Sequence, residues 1–272
     1  MKQTCRDVDL INYFESLGID VHTGTKARGH LGFFLEGRID ISKNISEYKI
    51  IPTLLHEFAH YIHSKLENNI AKSGGSLSII FDTEEDFTEE LLKVTNFVDN
   101  NSKCEKLFKH KEIVKQKIKF LDAKIKQEFP KFKRSKPFKE FNRAIKGSNL
   151  KYLLKYDRVK IMPWFVFGRE EILSVSTLEK DFPNLKSSFA DYIRLKSFLR
   201  KQNKISSRIS KIQKYYSRPT ELFARFVEGL YIDKAQVYEL APRVYNRFFE
   251  LLNVEYYQEL KNVFQMLDIS QH

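Results

Sequence analysis

Five consecutive residues, His56-Glu57-Phe58-Ala59-His60, hold the side chains best suited to metal-assisted hydrolysis. On a helix, positions i and i+4 lie one above the other, so His56 and His60 can point two imidazoles at one ion. Glu57 stands beside the first of them. Its carboxylate can take a proton from a zinc-bound water, which the ion brings to a pKa near 7, and later deliver that proton to a leaving amine. His63 extends the run to HExxHxxH. Seven residues along a straight helix span about 10.5 Å, too far for His56 and His63 to share an ion, so His63 is expected to pack beside the site.

A catalytic zinc takes three protein ligands and keeps one position open. A third histidine in the metzincin register is excluded, because His63 and Leu66 stand where that pattern needs glycine and histidine. A glutamate is therefore expected, and two segments can supply it. Glu221 lies in Ser217-Arg-Pro-Thr-Glu-Leu-Phe-Ala-Arg-Phe-Val-Glu228, where a Pro/Thr start opens a helix with the carboxylate in its first turn. Glu85 or Glu89, in Thr83-Glu-Glu-Asp-Phe-Thr-Glu-Glu90, is the rival. Helix capping accounts for that acidic cluster without a metal, which favours Glu221.

HEFAH and the PTELFA stretch together resemble the gluzincin metallopeptidases. The likeness is to anthrax lethal factor-like catalytic domains and to zincin-like domains in polyvalent proteins of phages and mobile elements. It covers some 20–30 residues in two blocks, with the hairpin that precedes HEFAH. The resemblance implies a zincin-like core, Zn2+ held by His56, His60 and Glu221, and Glu57 as general base and acid. It also implies a tyrosine that stabilises the oxyanion, for which Tyr215 and Tyr216 are the candidates; both can equally pack a helix end. Arg225 and Glu228 follow one and two turns after Glu221, as supports for the ligands or as ordinary surface residues. The separation of His60 from Glu221 exceeds what this class usually shows and requires an insertion.

The elements that must position these residues follow from periodicity. Residues 4–17 predict a helix ending at Gly18. Leu31–Leu35 and Arg38–Ser42 flank the Glu36-Gly37 turn and predict a hairpin with Ile39 and Ile41 on one face. A buried helix is predicted from Tyr48 to Leu66, with Pro52 in its first turn. Ser76–Phe81 reads as a short strand, and a helix is predicted to start after Thr83. Two long amphipathic stripes follow, Leu107, Val114, Ile118, Leu121 and Ile125 within 104–129, and Ile205, Ile209, Ile212 and Tyr216 within 187–216. These can pair antiparallel. Helices are predicted over Thr220–Tyr231, 234–252 and 254–267. The fold class is thus α+β, predominantly helical, with a zincin-like core formed by 1–82 and 205–272 and a helical insertion over 83–204. Arg38–Ser42 or its hairpin partner is the expected strand for pairing with a substrate peptide. Pro163-Trp-Phe-Val-Phe-Gly168 is an apolar segment that packs between helices or lines a pocket.

Composition bounds the function. Aromatic residues make up 14% of the 272, enough for a packed core. Cys5 and Cys104 stand apart from any CxxC pair, which argues against a disulfide framework or a zinc ribbon. Neither a signal peptide nor a transmembrane span is legible, so a cytoplasmic location is expected, with signal-less secretion left open. The net charge of +12 is concentrated in 103–160, where 20 Lys/Arg face 6 Asp/Glu. That patch is expected to be a solvated helical face or a contact for nucleic acid, anionic lipid or an acidic protein. The sequence therefore carries two functional expectations: a zinc metallopeptidase acting on a protein or peptide, and a nucleic-acid-associated or interaction protein that uses a zincin-like scaffold. A peptidase that cleaves a DNA-bound regulator, or a toxin-like effector, would combine them.

Overall fold

Glu36 and Gly37 both take positive φ, 47° and 81°, the conformation that a two-residue hairpin turn requires. The hairpin they close, β2 (Gly32–Leu35) and β3 (Arg38–Ser42), is the hub of the first of two compact units in the computed structural model. Residues 5–25, 30–67, 74–99, 103–162 and 171–270 are described. The first unit comprises Met1–Ser102 with Gln213–His272, and the second Lys103–Ile212. The unit boundaries thus fall later than 83 and 204, because residues 88–98 pack into the first unit through Leu91 and Val94.

In the first unit, α1 (Cys5–Ser16) leads into β1 (Asp20–Thr25), and the sheet order is β1-β3-β2. β1 runs parallel to β3, with Val21 opposite Ile39, and β2 runs antiparallel, with Phe34 opposite Ile39. The sequence pattern did not predict β1, since Asp-Val-His-Thr-Gly-Thr has no apolar alternation; its ladder with β3 holds it. Ile39 and Ile41 are fully buried and share a core with Phe14, Leu54 and Phe58. β3 has a partner on each side, so among the described residues the open edges of this sheet are those of β1 and β2.

α2 (Ile50–Leu66) lies against this sheet, with apolar residues almost all round its first three turns. Ser76–Phe81 is not a strand: Leu77–Phe81 forms the short helix α3, which buries Ile80 and Phe81. α4 starts at Thr88 and ends at Val98 rather than opening after Thr83, and the carboxylate of Asp86 accepts the Thr88 N–H. α9 (Pro219–Ile232) packs against α2 and α4. The helix expected over 234–252 is two, α10 (Lys234–Leu240) and α11 (Pro242–Asn253), because Pro242 cannot continue α10 and instead opens the next helix. α12 (Gln258–Met266) closes the unit.

The second unit contains α5 (Lys103–Glu128), α6 (Lys136–Lys146), the antiparallel pair β4 (Arg158–Ile161) and β5 (Glu171–Ser174), and α7 (Leu178–Asp181). Most of α8 (Ser187–Tyr216) belongs to it as well. Val114 meets Ile205 and Ile209, while Lys124 pairs with Asp191 at 2.7 Å, so α5 and α8 run antiparallel along the two stripes. Tyr216 leaves that seam and belongs to the first unit. Lysines on α5 pair along the same helix, Lys109 with Glu105, Lys115 with Glu112 and Lys126 with Asp122. The segment Pro163–Gly168 lies outside the described residues. No helix among the described residues is long and apolar enough to cross a membrane.

Candidate metal centre

Two helices of the first unit build the site. α2 buries nearly every residue from Ile50 to Phe58, and His56 and His60 emerge from it one turn apart, their rings 4.9 Å between centroids and almost perpendicular. α9 faces them with Glu221, Arg225 and Glu228, at i, i+4 and i+7 on one side of an otherwise apolar helix. Pro219 sits in its first turn, where a missing N–H breaks no helical bond. Glu221 follows at once, with Leu222 and Phe223 anchoring it in the core.

The carboxylate of Glu221 lies between the two imidazoles. One oxygen is 3.6 Å from His56 Nε2 and the other 3.5 Å from His60 Nε2. Around an ion bound tetrahedrally at about 2.0–2.1 Å, neighbouring ligand atoms stand roughly 3.3–3.5 Å apart, so each imidazole lies at about that spacing from one oxygen of the carboxylate, His56 from Oε2 and His60 from Oε1. The ligand atoms of His56, His60 and Glu221 all lie within 4.8 Å of one another, and among the described residues these three form the group able to hold a metal ion. Glu221 Oε2 is buried and makes no hydrogen bond that satisfies it, the condition expected of an atom facing a cation.

The electrostatics agree. His56, Glu57, Glu221 and Glu228 are each less than a tenth exposed. Three buried carboxylates face one guanidinium, that of Arg225, which leaves a charge of minus two to be compensated. Without a cation, protons supply part of it. Burial opposes a charge on His56, yet hydrogen bonding of its ring to the Glu221 and Glu228 carboxylates lifts it to about 9. Burial, reinforced by Glu221, raises Glu57 to about 7. Glu221 is held at about 2 despite its burial, by hydrogen bonding and attraction to His56. His60 falls to about 3 through burial and the neighbouring His56, so it offers a neutral nitrogen. A divalent cation would expel the compensating protons; two imidazoles and a carboxylate are ligands that zinc accepts.

Each remaining candidate has a definite place. Glu57 points towards β2, where its carboxylate accepts the Phe34 N–H. Tyr215 has its hydroxyl on the Glu221 carboxylate, and burial together with that negative neighbour raises its pKa strongly. Its ring is about a third exposed. Tyr216 points elsewhere: its hydroxyl donates to Asp99, and the Arg225 guanidinium lies over its ring. Of the two tyrosines only Tyr215 reaches the group that could hold a metal ion. The rival glutamates do not reach it either, since Glu85 pairs with Arg243 and Glu89 with Lys93. His63 is fully buried behind the site, with Nε2 3.3 Å from Glu67.

Glu228 and Arg225 are engaged around His56. His56 Nδ1 lies 3.1 Å from Glu228 Oε2, and the Arg225 guanidinium donates to the same oxygen at 2.7 Å. The signal for this role was present in sequence, as charged residues at helical spacing on a strongly apolar helix. Gly32 was missed altogether. A Cβ there would stand 3.1 Å from Glu57 Oε1 and 2.8 Å from Thr53 Cγ2, so the backbone of β2 approaches the carboxylate as only glycine allows. A glycine inside a predicted strand is the available clue.

No protein-family model, curated protein or solved structure matches the chain.

Proposed function

We propose that the chain is a zinc-dependent metallopeptidase of the gluzincin type, with a zincin-like core in its first unit. The single observation that carries this reading is the convergence of His56, His60 and Glu221 from two helices, with Glu57 beside them. Zinc held there would polarise the scissile carbonyl and supply an acidified water as nucleophile.

The chain's own residues do the rest. Glu57 is oriented by the Phe34 N–H, and its carboxylate accepts the proton of the attacking water and returns it to the leaving amine. Tyr215 can give its hydroxyl proton as a hydrogen bond to the oxyanion that develops on the carbonyl. For substrate pairing β3 is excluded, because both its edges are used. On β2, Ser42 N–H donates to the Leu31 carbonyl, which fixes the alternation of the ladder. The main-chain groups of Gly32 and Phe34 therefore point away from β3; the Phe34 N–H meets Glu57, and the remaining groups face the edge where an extended peptide can add. Arg38–Ser42 is thus replaced in this role by its hairpin partner.

The test is Glu57→Gln. Turnover of a peptide library should fall by at least about 10²-fold, the scale of general-base catalysis, with one zinc per chain retained by metal analysis. His56→Ala and Glu221→Ala should lose the zinc. Unchanged turnover in Glu57→Gln, or full zinc content in both ligand variants, refutes the assignment.

A further inference from the structure

We propose that Asp99, Tyr216 and Arg225 are positioning residues that set, through Glu228, the orientation of the His56 imidazole towards a divalent cation. This rests on His56 being a ligand, as argued above. One oxygen, Glu228 Oε2, receives both the Arg225 guanidinium at 2.7 Å and His56 Nδ1 at 3.1 Å. Whatever fixes the guanidinium therefore fixes the oxygen that orients the ring. With Nδ1 donating to that oxygen, the lone pair of Nε2 is directed to the Glu221 side.

The guanidinium itself has few holds. It is largely buried, and its Nε makes no hydrogen bond. Apart from Glu228, it rests over the Tyr216 ring at 5.8 Å and is attracted by Asp99 and Glu221. The Tyr216 ring is in turn anchored through its hydroxyl on Asp99 Oδ2. Removing that anchor frees the surface on which the guanidinium sits, and the displacement passes to His56 through a single shared oxygen. The order of contacts is Asp99, Tyr216, Arg225, Glu228, His56.

The place of the first two residues in the chain adds weight. The first unit ends its N-terminal stretch at Ser102 and resumes at Gln213. Asp99 stands just before the exit and Tyr216 just after the return, so their hydrogen bond ties the two crossing points together inside the first unit. The Asp99–Tyr216 hydrogen bond thus joins two segments far apart in sequence, and the further contacts carry it to His56.

The experiment is zinc titration by chelator competition on wild type, Tyr216→Phe, Asp99→Asn, Arg225→Met and Arg225→Lys, beside the thermal midpoint of each metal-free protein. Substitutions around metal ligands typically weaken affinity about 10–100-fold. Arg225→Met should fall in that range, with Arg225→Lys recovering part of the loss. Tyr216→Phe and Asp99→Asn, one step further out, should weaken binding by about 3–10-fold while the metal-free midpoint stays close to wild type. Nitrogen-detected NMR of the zinc-loaded proteins should show a hydrogen-bonded His56 Nδ1–H protected from solvent exchange in wild type and a faster-exchanging, upfield-shifted one in Arg225→Met. If wild type binds zinc and Tyr216→Phe and Asp99→Asn bind it equally well, the relay is wrong and the metal site stands. If wild type binds no zinc, both fall. Should Arg225→Met not fold, the other two variants still decide, since each alters only a few atoms.

Discussion

Gly74 and Gly75 offer a controlled perturbation of the packing behind the metal site. Both take left-handed backbone, φ 80° and 83°, so alanine at either meets the same conformational penalty of about 1–2 kcal/mol. Their surroundings differ. A Cβ at Gly74 meets nothing within 4 Å, whereas at Gly75 it would stand 2.4 Å from His63 Cε1, 2.8 Å from His63 Nε2 and 3.0 Å from Thr220 Cγ2. The imidazole has little room to yield, since it is fully buried, leans on Glu67 and meets the Phe223 ring edge-on at 6.4 Å. Such overpacking adds about 1–3 kcal/mol. Gly74→Ala should thus cost about 1–2 kcal/mol and Gly75→Ala about 2–5 kcal/mol. The entropy that alanine removes from the unfolded chain is common to both and cancels in the difference. Urea denaturation of the metal-free proteins measures that difference. A His63→Ala background should remove most of it, because the two closest atoms are gone and only Thr220 Cγ2 at 3.0 Å remains. Thr220 precedes Glu221, so Gly75→Ala should also lower zinc affinity while Gly74→Ala leaves it unchanged. Equal destabilisation by the two alanines, within about 0.5 kcal/mol, would show that the loop does not press on His63 and would refute the reasoning.

Further outcomes follow from the site itself. Zinc affinity should rise with pH between 6 and 8, because in the metal-free protein His56 holds its proton up to about 9 and only the neutral ring ligates. The slope approaches about tenfold per unit for each proton released; titrations in buffers of differing ionisation enthalpy measure the release, and a pH-independent affinity would contradict the charge balance described. Tyr215→Phe should lower kcat at saturating zinc by roughly 10–10³-fold, as for loss of one oxyanion donor, and weaken zinc binding as well, since its hydroxyl also bonds Glu221; steady-state kinetics beside metal analysis checks this, and an unaltered kcat would assign Tyr215 to packing. Gly32→Ala should reduce kcat/KM without loss of zinc, since its Cβ crowds Glu57 Oε1 at 3.1 Å and projects from the strand that faces substrate. Retained kcat/KM would mean that β2 and Glu57 are not held together in catalysis.

What sequence could reveal here was governed by the range of the interactions involved. The HExxH pair, the Glu36-Gly37 hairpin and the two long stripes rest on contacts within a few residues, and their pattern is visible without a fold. Glu221 was legible only as a motif, because its meeting with His56 is made by the packing of α9 on α2. The choice between Tyr215 and Tyr216 depends on the roll of the last turn of α8, which neighbouring residues in sequence do not reveal. β1 escaped because its place is secured by the ladder to β3 and not by its own composition. Leu77–Phe81 has the apolar run of a buried strand but is helical, and at five residues periodicity cannot separate the two.

Charge is buried at several places in this unit, Asp7, Asp40 and Glu90 among them, and the arrangement of partners discriminates between a structural and a functional origin. A network that served stability alone would close on itself, since each unpaired buried group carries a desolvation penalty and an apolar replacement is often no worse. The Glu90 carboxylate does close: it accepts the Arg243 and Val244 N–H groups at the start of α11 and pairs with the Arg243 guanidinium. The α2/α9 site does not. Glu221 Oε2 and Arg225 Nε lack hydrogen bonds that satisfy them, and the three carboxylates exceed their one permanent counter-charge by two. Protons on His56 and Glu57 make up the balance only by occupying a nitrogen that could ligate and a carboxylate that could act as base. One divalent cation between His56, His60 and Glu221 would restore neutrality and free Glu57 to accept a proton, which is why the same residues that look frustrated as structure look coherent as a metal centre.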